Sequence, residues 1–173
     1  MDEILFFDMD GVLAVYERSA YDPAKGVTPG KAIYEDESLR YFRTCRPDPV
    51  GIGMLKEAIG KGYRAYIVTS VRPDLPWARF DKVAWLARHV PEFDASTRLV
   101  IASGDKAQLI MAKRKIASLD RRMVLFDDYN RNLEDWRRAG GTAVKYLNGL
   151  NTPASYSGPK FDASSGTWIP GKE

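Results

Sequence analysis

Four aspartates stand in two tight groups whose types and spacing could do chemistry together: Asp8-Met9-Asp10-Gly11-Val12 and Asp127-Asp128. Side chains two residues apart on a strand point the same way, so Asp8 and Asp10 can face one pocket as a strand ends. Gly11 then lets the backbone turn sharply or approach a ligand closely. Adjacent carboxylates such as Asp127 and Asp128 repel each other unless a cation, a lysine or water separates them. Hard oxygen ligands of this kind suit magnesium, which keeps most of its waters and bridges to phosphate oxygens. A plain turn is the alternative for the first group, and a solvated pair opening a loop for the second. A calcium loop fails on spacing: counting from Asp8 puts Leu13 and Ser19 where an EF-hand needs Gly and Glu.

Composition narrows the metal chemistry. The chain has 173 residues, 45% hydrophobic and 28% charged, which suits one soluble globular domain around one core. A single cysteine, Cys45, cannot form an internal disulfide, and a single histidine, His89, cannot complete a Cys/His metal site. Both read as structural, and any metal site must use oxygen ligands. The 26 Lys and Arg against 23 Asp and Glu leave a net charge of +3, too small to announce a nucleic-acid binder. No apolar run approaches the roughly 18 residues of a membrane span, and Met1-Asp2-Glu3 does not open a signal peptide. The expected setting is reducing and cytoplasmic, away from membranes.

The groups need elements to position them. Five apolar runs rich in β-branched and aromatic residues read as strands, at 3–8, 64–69, 97–102, 122–127 and 142–147. Ile4-Leu5-Phe6-Phe7 and Val124-Leu125-Phe126 are apolar on both faces, as in buried strands of a parallel sheet. Helical spacing lies between the runs. Residues 50–62 carry Leu55, Ala58 and Ile59, and Phe80, Val83, Ala84, Ala87 and Val90 predict one buried face ending near Pro91. Leu109, Ala112, Ile116 and Leu119 repeat that spacing, and Leu133 and Trp136 begin a shorter helix that stops at Gly140-Gly141.

This alternation predicts a doubly wound, Rossmann-like α/β domain over 1–147 with a parallel five-stranded sheet. Residues 14–48 interrupt it as a small cap insert after the first strand. Residues 148–173, rich in Gly, Ser, Pro and Asn but holding Tyr156, Phe161 and Trp168, read as an extended C-terminal tail packed on the domain. In an open α/β sheet, ligands bind at the carboxyl ends of the strands. Those ends deliver Asp8 and Asp10, then Thr69-Ser70, then Ser103-Gly104-Asp105-Lys106, then Asp127-Asp128. Lys106, opening a helix, could balance the charge of a phosphate. A surface lysine, and an N-cap or turn, are the plain alternatives for Lys106 and for Thr69-Ser70.

In this order the residues resemble the motifs of the haloacid-dehalogenase-like phosphohydrolases: Asp8-Met9-Asp10-Gly11-Val12 the first, Thr69 the second, Lys106 the third, and Asp127-Asp128 the fourth. Within that family the chain is most similar to the 5'(3')-deoxyribonucleotidases. The likeness lies in Asp8 through Ala14, in Ile67-Val68-Thr69-Ser70, in Lys82-Val83-Ala84-Trp85-Leu86 leading to Pro91-Glu92-Phe93, and in Gly104-Asp105-Lys106. It departs from them in Val71-Arg72-Pro73, where a proline commonly follows the Thr-Ser pair, and in an insert short for a helical cap. The gap from Lys106 to Asp127 is also long. In that gap, and in Asp127-Asp128 followed by Trp136-Arg137-Arg138-Ala139-Gly140, the chain is similar to the 3'-phosphatase domain of polynucleotide kinases.

The resemblance implies a magnesium-dependent phosphomonoesterase. Asp8 would be the nucleophile that forms an aspartyl-phosphate, and Asp10 the acid for the leaving alkoxide and then the base for water. Magnesium would be held by the Asp8 carboxylate, the Asp10 backbone carbonyl and Asp127, with Asp128 orienting a bound water or Lys106. Thr69, Ser70 and Lys106 would hold the phosphate. Selection of the substrate would fall to the insert and the 72–79 stretch. Tyr16, Tyr41, Phe42 and Trp77 could stack on a base, and Arg40, Arg43, Arg46 and Arg72 could touch phosphate or a base edge; packing of the insert is the plain alternative for the aromatics. The implied substrate is a small phosphorylated molecule, a (deoxy)nucleoside monophosphate. A nucleic-acid end is the alternative, which Lys113-Arg114-Lys115 and Arg121-Arg122 would favour if they grip a backbone. A non-catalytic binding protein on the same fold is a further alternative, against which the intact motif residues argue. The oligomeric state is open, a homo-oligomer included.

Overall fold

Phe6 and Phe7 are both fully buried although neighbouring side chains on a strand face opposite ways. In the computed structural model, which describes residues 3–16, 33–35, 37–150 and 156–172, this double burial follows from a central position. Ile4–Phe7 (β1) lies between Arg64–Ser70 (β2) and Met123–Asp127 (β4). Leu99–Ala102 (β3) pairs with the outer edge of β2, and Thr142–Leu147 (β5) with that of β4; all these pairings are parallel.

The sheet does not stop at five strands. Lys160–Asp162 (β6) adds in parallel to β5, and Thr167–Ile169 (β7) folds back antiparallel on β6, giving seven strands in the order β3-β2-β1-β4-β5-β6-β7. These added strands are three residues each, too short to show an alternating pattern. Their anchor is aromatic: Phe161 is buried and its ring lies 5.1 Å from that of Trp168, which also meets Phe126 at 6.1 Å. The run predicted at 97–102 likewise shortens, because Ala95–Arg98 (α4) forms a helical turn capped by Asp94.

Helices pack on both faces, and one short turn, Tyr41–Thr44 (α1), lies in the insert. Pro49–Gly60 (α2) begins at Asp48, whose carboxylate accepts from the amides of Val50 and Gly51 at 2.9 and 3.0 Å. Gly51 allows this helix to touch the turn after β1, since a Cβ there would stand 1.9 Å from the Val12 carbonyl oxygen. Lys106–Arg114 (α5) is capped by Asp105 in the same manner, at 2.8 and 3.1 Å, and Asn130–Arg138 (α6) follows β4. The insert leaves and re-enters at one place, because Val15 donates to the Arg46 carbonyl and Asp48 to that of Leu13, both at 2.8 Å. Its residues 17–32 and 36 lie outside the described residues. Among the described residues no helix is long and apolar enough to cross a membrane.

Pro76–His89 (α3) forms where helical spacing predicts it but turns a different face inward. It buries Ala78, Asp81, Lys82, Trp85 and Leu86, while Phe80 is 71% exposed. Of the five apolar residues expected on its buried face, only Val90, just past its end, is buried. Two charged residues occupy the inward face, so a pattern counted in apolar residues points elsewhere. What they bind explains why they are there.

Candidate active site

The carboxyl ends of β1, β2 and β4 are adjacent, so Asp8, Thr69 and Asp127 stand side by side. The Asp8 amide continues the β1–β4 ladder by donating to the Phe126 carbonyl at 2.9 Å. Asp8 Oδ1 accepts from the Met9 amide at 2.7 Å and faces Lys106 Nζ at 2.8 Å. Lys106, the first residue of α5, is 2% exposed, and its Nζ also reaches Asp127 Oδ2 at 2.7 Å. One ammonium thus joins two buried carboxylates. Burial alone would lower its pKa, but Asp127 and Asp8 together outweigh that and raise it. Asp127 is further fixed by the Tyr129 amide at 2.9 Å and Asn132 Nδ2 at 3.0 Å.

Asp10 belongs to a second ion pair. Its Oδ2 accepts from Lys82 Nζ, which also donates to Thr69 Oγ1 and to the Ser70 carbonyl, each at 2.8 Å. Lys82 has no exposure at all and lies with its ammonium 4.8 Å from the centre of the Phe42 ring. Burial pushes the Asp10 pKa up, Lys82 pulls it down, and Asp8 pushes it up again. Lys82 enters the sequence reading only within the family likeness, and its place in the site is one that apolar spacing misses. The signal was present as a lysine in phase with Ala78 and Trp85, on the face of α3 that meets the sheet.

Asp128 completes the acidic group. Oxygen atoms of Asp8, Asp127 and Asp128 all lie within 4.8 Å of one another. Burial, then Asp127, then Asp8 push the Asp128 carboxyl up to about 8, and burial above all pushes Asp127 to about 6 despite Lys106. Gly11, at φ +78°, passes so close that a Cβ would stand 2.3 Å from Asp128 Oδ2. Three neighbouring carboxylates, two of them paired to Lys106, make a hard oxygen donor set, and magnesium fits it. The Asp10 carboxylate points to Lys82 instead of joining this set.

A stability measurement follows from these shifts. The folded pKa of Asp128 lies above its ordinary 3.8, so its contribution to stability is complete below that value and is lost as pH rises through about 8. Thermal unfolding of the chelated, metal-free protein should show a midpoint falling as pH rises across this range. Each kcal/mol lost lowers it by about 2–4 °C in a chain of this size. Asp128→Asn should flatten that dependence; an unchanged slope in the variant would place its origin elsewhere.

The insert brings its aromatics to the Asp10 side of the site. Tyr41 lies 5.7 Å from Tyr16 and 5.4 Å from Phe42, and Tyr34 lies 6.1 Å from Phe42. Phe42 packs with Leu75 and Ala78, and Trp77 is partly buried against them. The arginines divide. Arg40 Nη2 pairs with Asp81 Oδ1 at 2.6 Å, and Arg72 reaches both Glu35 and Asp74 at 2.5 Å. These bridges tie the insert to α3 and to the loop after β2, while Arg43 stays exposed. Cys45 is buried with its thiol on the Tyr41 carbonyl, and the His89 ring lies tilted against Trp85 at 4.6 Å. The basic stretch is elsewhere. Helix α5 starts at the site and ends at Arg114, capped by Lys115, and Arg121 and Arg122 precede β4, so both basic groups lie toward the amino ends of the strands.

No protein-family model matches the chain, and no curated protein matches it. Solved structures do. The D,D-heptose 1,7-bisphosphate phosphatase of B. bronchiseptica, complexed with magnesium and phosphate, matches with a TM-score of 0.60 at 10% identity over 89% of this chain and 87% of that one. The same phosphatase from Burkholderia thailandensis matches at 0.57 and 14%, over 88% and 85%. A haloacid dehalogenase-like hydrolase from Streptococcus pneumoniae matches at 0.55 and 15%, over 88% of each chain. The chain therefore has the fold of the haloacid-dehalogenase-like hydrolases, a Rossmann-like α/β fold with a mostly parallel sheet.

Proposed function

We propose that this protein is a magnesium-dependent phosphomonoesterase that works through an aspartyl-phosphate on Asp8, with a (deoxy)nucleoside monophosphate as substrate. The observation that carries the reading is the division of the two strand-end aspartates between two buried lysines. Asp8 faces Lys106, and Asp10 faces Lys82. Carboxylates two residues apart in different surroundings can take different parts in one reaction.

The Asp8 carboxylate attacks phosphorus and the ester P–O bond breaks, while Lys106 offsets the repulsion between two anions. Asp10, its pKa raised by burial, gives its proton to the departing alkoxide. It then takes a proton from the water that attacks the phosphorus of the aspartyl-phosphate, which frees inorganic phosphate and restores Asp8. Thr69 Oγ1 accepts from Lys82, so its own hydroxyl hydrogen is left to point at a phosphate oxygen. When bound by the Asp8, Asp127 and Asp128 carboxylates, magnesium supplies positive charge against the phosphate oxygens.

The leaving group sits on the side of its acid, Asp10, and that side carries the partly exposed Tyr16, Tyr41 and Trp77, while Phe42 is buried beneath Lys82 as packing. Flat aromatic surfaces there suit a nucleoside. The basic stretch at the far edge of the sheet gives no grip on a nucleic-acid backbone entering the site, which favours a mononucleotide. The magnesium and phosphate of the B. bronchiseptica structure agree with this chemistry. Phosphate release should be measured with magnesium from nucleoside 5'- and 3'-monophosphates and from a 3'-phosphorylated oligonucleotide. Release from mononucleotides is expected. Release from the oligonucleotide alone would replace the substrate by a nucleic-acid end, and release from none would leave a binding protein.

A further inference from the structure

Asn148, the residue after β5, joins two parts of the site that no strand pairing joins. Its Nδ2 donates to the Gly11 carbonyl at 2.9 Å and to Asp128 Oδ2 at 3.1 Å. Its Oδ1 accepts from the Leu150 amide at 3.0 Å, which fixes the end of the amide that faces the site. Both hydrogens of one nitrogen thus hold the turn that carries Asp10 against the Asp128 carboxylate.

We infer that Asn148 is a positioning residue for magnesium: it sets the Asp128 carboxylate and the Asp10–Gly11 turn in the arrangement that receives the cation. The inference rests on the magnesium reading above. Its physical basis is the neutrality of the donor. Lys106 binds Asp8 and Asp127 with a full positive charge and so cancels part of what would attract a cation. A neutral amide orients Asp128 without adding a positive charge against which a cation would have to compete. Without that hydrogen bond the Asp128 carboxyl loses the contact that ties it to the Gly11 turn. Gly11 leaves the space for this clamp, since any Cβ would occupy the position of the Asp128 carboxylate.

Magnesium titrations by calorimetry on the full chain test the inference, with Asn148→Ala and Asn148→Leu beside the unmodified protein. Both variants should bind magnesium about 10–100-fold more weakly, the range for residues that orient metal ligands. Their metal-free unfolding midpoints should stay near that of the unmodified chain, and phosphate release should recover at saturating magnesium. Unchanged magnesium affinity in a folded variant would overturn the inference and leave the phosphatase reading standing. No uptake by the unmodified chain would overturn both. If the variants do not fold, the side-chain amide signals of Asn148 in the unmodified protein decide by nuclear magnetic resonance. They should shift in step with magnesium occupancy, and signals that do not move would overturn it.

Discussion

Asp8→Asn should abolish phosphate release, by about four orders of magnitude or more, as removal of a nucleophile does elsewhere. The substitution keeps the shape of the side chain and an oxygen to accept from the Met9 amide, so the turn after β1 should hold. It leaves Lys106 with Asp127, an ion pair at 2.7 Å that keeps the ammonium from being buried unpaired. The loss should therefore be one of chemistry and not of fold. Labelling separates the two: mixed briefly with a radiolabelled substrate, the unmodified chain should carry phosphate on the protein and Asp8→Asn none. Asp10→Asn should still be labelled from an aryl phosphate, whose leaving group needs no acid, and should hold the label because the water lacks its base. Phosphate release that survives Asp8→Asn would remove Asp8 as nucleophile.

The parts of this site that were legible in the sequence are those fixed locally. Asp8, Asp10 and Asp127 follow apolar runs directly, and the strand-end rule needs only the runs to place them at one edge. Thr69 and Lys106 come from the same rule one element later. Contacts made across the chain were not legible. Arg40 and Arg72 read as free hands for a substrate, yet their partners Asp81 and Glu35 lie 41 and 37 residues away, on elements whose docking no periodicity records. Lys82 was hidden for a related reason. Apolar periodicity treats a lysine as a surface marker, whereas here it is paired inside with Asp10 and counts toward the buried face. Asn148 stood in a tail without a period, and β6 and β7 were too short to have one.

Lys82→Met should lower kcat by about two to four orders of magnitude, the usual share of general acid–base catalysis, because Asp10 loses the group that orients it. Methionine matches the length of the buried stem and can pack on the Phe42 ring, and Asp10, whose side chain is 21% exposed, keeps some contact with water where it stands. The fold should survive. The pH profile carries the more telling change. Lys82 holds the Asp10 pKa down against burial, so its removal lets that pKa rise further. With an aryl phosphate, formation of the aspartyl-phosphate needs no proton from Asp10 and should proceed, while its hydrolysis needs Asp10 as a base. The limb of the rate profile that reports this base should therefore move to higher pH, and phosphate should accumulate on the protein at neutral pH. A merely structural lysine would change yield or melting and leave the limb where it was. An unmoved limb with an unchanged kcat would detach Lys82 from the chemistry, and with it the claim that two buried lysines assign two roles to two neighbouring aspartates.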